Sequence, residues 1–247
     1  MSQVKTAASA QADGYFVQRL SEALRDRGFL REVAACYVAI FNARGPGEWS
    51  EDWTPESARR KLFEEAAVDA DRSYLATWRV RGVLAGLCIS YAAPVPRSLR
   101  LTDLPPACQQ PGCLDAVLAK LSGELGGERV IAQYRELGIR REYRRGLEPV
   151  ASLMRLPGNP LHDAGASHVI FWTSSRSRLY PIVLGVGFRP FYRFDDPPAN
   201  VLMIGEAAAI RRRLELPTTL LKAAIAARIV WLKLRERFRI AGSRRRP

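Results

Sequence analysis

Apolar positions near the start of the chain follow a helical rhythm. Leu30, Val33, Ala34, Tyr37, Ile40 and Phe41 recur every three or four residues, which predicts an amphipathic helix over Leu30–Asn42 with one buried face. Gly45, Pro46 and Gly47 end it. Thr54-Pro55-Glu56 then reads as a helix start, with Thr54 capping and Pro55 pre-set for the first turn, and the helix runs to about Ala67. Both helices precede any predicted strand. The rhythm next turns to β: Ser73–Val80 and Val83–Tyr91, joined by Arg81-Gly82, predict an antiparallel hairpin.

From Pro94 to Gly127 the prolines Pro94, Pro96, Pro105, Pro106 and Pro111 leave room for one helical piece near Leu114–Leu121, which predicts an insertion rather than a second domain. The run RVIAQYRELGI is strand-like, followed by a basic turn from Arg140 to Gly146 and a helix carrying Val150, Leu153, Met154 and Leu156. SHVIFWT predicts another strand, then come a helix near Tyr180, the pair Gly187-Phe188 and a last strand around Val201–Ile204. This order predicts a mixed α/β sheet.

With 247 residues, 47% of them hydrophobic, the chain suits one α/β domain. Residues 1–28 read as a flexible start, 29–205 as the domain with 94–127 inserted, and 206–247 as a tail. No apolar run approaches the length of a membrane span, and the small polar start lacks a signal-peptide core, so a soluble cytoplasmic protein is expected. Cys36 and Cys88 read as core residues. Cys108 and Cys113 share a loop, but with only His162 and His168 to complete a ligand set no metal is expected, and neither histidine is assigned a catalytic role.

The net charge of +13 and a pI near 10.2 predict anionic partners. From Arg211 to Pro247 twelve Arg and Lys stand against Glu215 and Glu236, a local +10 that leaves +3 for the rest. Leu220, Ala223, Ala227, Val230, Trp231, Leu234 and Phe238 form a stripe beside Lys222, Lys233 and Arg237. Such a basic amphipathic helix either lies on an anionic bilayer through residues 214–240, making the protein peripheral on the inner face of the membrane, or packs on its own domain or a second copy. Nucleic acid is not the expected partner, since no base-reading module accompanies the basic run.

Three segments together resemble the GNAT N-acyltransferase superfamily. YVAIFNARGPGEW with WTPESARRKL is similar to its paired opening helices, ELGIRREYRRG to its fourth strand and pyrophosphate loop, and VIFWTSSRSRLYPIVLGVGF to its fifth strand, next helix and Gly-Phe ending. The resemblance implies a mixed, mostly antiparallel central sheet flanked by helices, with the basic helix as an extension. It also implies transfer of an acyl group, in the simplest case acetyl, from acyl-CoA to a small-molecule or lipid-linked amine. Leu137, Gly138 and Ile139 would then pair with the pantetheine arm as an added strand, and Arg144, Arg145, Gly146 and Leu147 would hold the diphosphate. Glu136 would act as base, directly or through water, and Tyr180 as acid toward the departing sulphur.

The chain departs from the family's loop pattern at Leu147, Glu148 and Pro149. A proline lacks an N–H and a carboxylate repels phosphate, a deficit of about 1.5–3 kcal/mol for one charge-assisted bond. Arg140, Arg141, Arg144 and Arg145 offset it for coenzyme A. An acyl carrier protein, acidic and with one phosphate, is the alternative donor. A catalytically silent module that only binds such a ligand is the rival from another class. Trp49 and Trp53 are either core or the lining of an acceptor pocket.

Overall fold

In the computed structural model, which describes residues 13–43, 51–64, 67–105, 108–194 and 200–243, the chain enters as a strand, β1 (Gly14–Arg19), and one helical turn, α1 (Leu20–Ala23). This corrects two expectations, that residues up to 28 form a flexible segment and that no strand precedes the helices. The six residues of β1 gain order from their neighbour: Gly14 to Arg19 pair antiparallel with Arg79 to Tyr74, and the Asp13 carboxylate accepts the N–H groups of Arg81 and Gly82. Helix α2 (Arg27–Phe41) opens on Asp26, which accepts from Gly28 and Phe29. Thr54 and Ser57 cap each other across the start of α3 (Pro55–Arg59), as Thr54-Pro55 predicts. The chain then widens into a π-helical turn over Arg60–Glu64.

The hairpin forms as predicted, β2 (Ser73–Val80) and β3 (Val83–Pro94). The insertion holds short 3-10 turns at Val95–Arg97 and Leu101–Asp103 and helix α4 (Pro111–Leu125). There follow β4 (Val130–Ile139), α5 (Glu148–Arg155), α6 (Gly158–Asp163), β5 (His168–Ser174), α7 (Leu179–Val186), β6 (Arg189–Arg193) and β7 (Asn200–Glu206). The tail is helical, α8 (Ala207–Leu214) and α9 (Thr218–Ser243). The seven strands lie in the order β1-β2-β3-β4-β5-β7-β6, antiparallel throughout except for β4 beside β5. Mixed and mostly antiparallel, the sheet is the one expected.

Side chains alternate across the sheet and feed separate cores. Cys88, Ala132, Tyr134 and Val169 point to one face, packed under α5 to α9. The other face is covered in two parts, by α1 to α3 over Leu75, Leu87 and Ile89, and by the insertion over Ile131, Ile170 and Leu202. Cys36 and Cys88 are core residues, and burial pushes the Cys36 thiol up to about 12.

Helix α9 docks through a different stripe from the one its pattern singles out. Leu221 and Ile225 are buried, and a Cβ on Gly185 of α7 would fall 2.5 Å from Ile225, so α9 rests directly on the α7 backbone. Leu220, Val230 and Trp231, on roughly the opposite side, remain exposed. The side chains of Leu234 and Phe238 lie outside the described part. No helix among the described residues is long and apolar enough to cross a membrane.

Candidate active site

Strand β4 pairs with β5 only over Ile131–Gln133. Beyond Gln133 the two parallel strands part, and the stretch from Tyr134 to Ile139 keeps its partner on the β3 side alone. The backbone edge of Leu137, Gly138 and Ile139 thus faces a wedge, where an extended ligand can complete the ladder. Gly138 has a second role here. A Cβ on it would lie 2.4 Å from Ile40, so its absence lets α2 settle on the strand.

The register of β3 against β4 slips at Ile89/Ser90, leaving Arg135 as an extra residue on β4. A bulge of this kind turns two successive side chains toward one face. Arg135 reaches Asp103 of the insertion, Nε to Oδ1 2.7 Å, with the side chains 5% and 0% exposed. Asp103 also accepts from the Tyr91 hydroxyl at 3.2 Å. Glu136 meets the opening helices instead. Lys61 Nζ stands 3.1 Å from Glu136 Oε1 and donates to the Tyr37 hydroxyl at 3.0 Å, while Tyr37 donates to Glu136 Oε2 at 3.4 Å. The ammonium lies 4.8 Å from the centre of the Trp53 ring, itself edge-on to Tyr37. Asn42 clasps Trp53, accepting its N–H at 2.9 Å and donating to its carbonyl at 2.7 Å. Burial, and after it the negative charge of Glu136, push the Tyr37 hydroxyl well above its ordinary pKa. Trp49 lies outside the described residues.

The basic loop leaves β4 through a 3-10 turn over Arg141–Tyr143 and turns at Gly146, φ +75°, with Leu147 buried at the entrance to α5. Arg144 Nε donates to the Ile139 carbonyl at 2.7 Å, while Arg145 is exposed. Glu148 has its own partners: Thr218 of α9 and Ser152 donate to its carboxylate, and Arg155 lies 3.5 Å away. The Thr218 bond first, then Ser152 and Arg155, lower its pKa. The carboxylate therefore stays ionised, with Arg155 as its cationic neighbour.

Tyr180, half-buried in the first turn of α7, packs on the core beneath α5 to α9. Glu136 faces α2 and the π-helical turn, so the two predicted catalytic groups belong to different clusters. Gln133, at the closing point of the wedge, is 1% exposed, and its amide oxygen and nitrogen both lack a hydrogen-bond partner among the described residues. His162 is exposed and His168 half-buried at the start of β5. Sequence reasoning missed Tyr37, Lys61 and Asp103 as neighbours of β4, because each comes from a distant element with no spacing motif.

No protein-family model matches the chain, and no curated protein matches it. Among solved structures, an apo mutant of agmatine N-acetyltransferase aligns over 78% of this chain and 99% of its own, with TM-score 0.51 and 12% identity. Drosophila melanogaster polyamine N-acetyltransferase covers 78% and 98% at TM-score 0.49 and 11% identity. PaiA N-acetyltransferase from Thermoplasma acidophilum, in complex with coenzyme A, covers 78% and 98% at TM-score 0.47 and 9% identity.

Proposed function

We propose that this chain, which has the fold of the GNAT N-acetyltransferases, moves an acyl group, in the simplest case acetyl, from acyl-CoA to an amine. The parting of β4 from β5 after Gln133 and Ile170 carries the reading. A pantetheine arm fits along the exposed edge from Ile139 back toward Tyr134, with the diphosphate at Arg144, Arg145, Gly146 and Leu147. The thioester then lies beside Glu136, which takes a proton from the attacking amine. Tyr180 is the group proposed to return a proton to sulphur. The amine enters from the side of α2 and Trp53. The four arginines Arg140, Arg141, Arg144 and Arg145 around the single carboxylate Glu148 favour coenzyme A, with its diphosphate, over an acyl carrier protein.

Thermal stabilisation by acetyl-CoA, followed by thiol release with an amine panel, tests this. A shift with acetyl-CoA is expected. A shift only with acyl carrier protein would replace the donor, and none with either would leave a silent binding module. A second reading concerns place. The exposed Leu220, Val230 and Trp231, with the Arg228 guanidinium 4.4 Å over the Trp231 ring, suit the interface of an anionic bilayer. Flotation with anionic liposomes that survives removal of residues 214–247 would refute it.

A further inference from the structure

Lys61 occupies the place that the functional reading gives to the acceptor amine. Its ammonium touches the candidate base at 3.1 Å and is flanked by the Tyr37 and Trp53 rings at 5.6 and 4.8 Å. A carboxylate, a hydroxyl and two aromatic faces form a receptor for a primary alkylammonium, where desolvation strengthens the attraction of ring to cation. Here the occupant belongs to the protein itself. Lys61 is partly exposed, at 19%, and sits on a π-helical turn, an irregular support that can shift more readily than an α-helical one.

We propose that Lys61 is an internal acyl acceptor, modified by the enzyme's own donor when no external amine is present. Glu136 removes one proton from the Lys61 ammonium, and the freed nitrogen attacks the thioester carbonyl. The carbon–nitrogen bond forms as the carbon–sulphur bond breaks, the electron pair leaves with sulphur, and the thiolate takes a proton. The products are an Nζ-acyl-lysine, free coenzyme A and one net proton. Acylation removes the ammonium that pairs with Glu136, so the modified protein keeps that carboxylate on the Tyr37 hydroxyl and open to an external amine. The inference rests on the acyl-CoA reading.

The chain has five lysines, Lys5, Lys61, Lys120, Lys222 and Lys233, so peptide mass mapping separates them fully. Full-length protein incubated with acetyl-CoA and no amine should gain one acetyl group, at Lys61. The rate should fall about a hundredfold in Glu136→Gln, the low end of what a positioned base contributes. Lys61→Arg should gain none, and melting curves without donor establish that both variants fold. Thermal stabilisation by acetyl-CoA with Lys61 unmodified, or with label shared evenly among the lysines, overturns the inference and leaves the functional reading standing. Absence of any stabilisation removes both.

Discussion

Arg135 and Glu136 are neighbours on β4, turned to the same face by one bulge, yet their charges are handled in opposite ways. Arg135 meets Asp103 where neither side chain exceeds 5% exposure, whereas Glu136 and Lys61 keep 11% and 19%. The first pair seals the insertion onto the sheet. The second lies on the stretch of β4 that has no partner on the β5 side. A buried pair with no access can serve only architecture, and a buried pair with access can exchange protons.

Breaking the sealed pair should have the largest effect. Asp103→Ala strands the Arg135 guanidinium and should cost about 3–5 kcal/mol in urea unfolding; a loss near that of a surface pair would show that Arg135 is not sealed. Glu136→Gln should lower kcat/KM for thiol release about a hundredfold, equal to about 2.7 kcal/mol, a loss well beyond the modest destabilisation from breaking its pair with Lys61. Unchanged turnover would remove Glu136 from the chemistry. Lys61→Met should cost only about 1–2 kcal/mol, between the exposed and fully buried cases. A cost as large as that of Asp103→Ala would erase the distinction between the two pairs. Smallest is Gln133→Met, which removes the two unpartnered amide atoms while keeping volume and should stabilise by about 1 kcal/mol in the same unfolding assay. Destabilisation would show that the amide has a partner in solution.

How much of this could be read from the sequence depended on where the ordering information resides. The hairpin at Arg81-Gly82, the cap at Thr54-Pro55 and the strand RVIAQYRELGI carry their signals locally, and all three form as expected. Strand β6 was missed because RPFYR is short, contains a proline and lies at the sheet edge, where it pairs with β7 and is held by α4 through Lys120 and Glu124. The tail was read as amphipathic, but α9 has apolar residues on two sides. Only the fold reveals that Gly185 selects the side of Leu221 and Ile225. Of the candidate site, the strand that carries Glu136 and the edge of Leu137 to Ile139 was legible. The bulge that aims Glu136, and the ammonium it meets, depend on pairing between elements far apart in the chain, which no local pattern encodes.

The π-helical turn beneath Lys61 bears on how such a site changes by descent. A π turn holds one residue more than an α-helical turn, and each residue of an α-helix advances the chain by about 100°. Loss of a single codon between Arg60 and Glu64 would restore regular winding and turn the residues of that one turn by up to that angle, while the flanking segments keep their places. The lysine would swing off the carboxylate in one mutational step, with the rest of the fold intact. A lineage could thereby gain or lose the contact between Lys61 and Glu136 without altering a residue of β4 or of the basic loop.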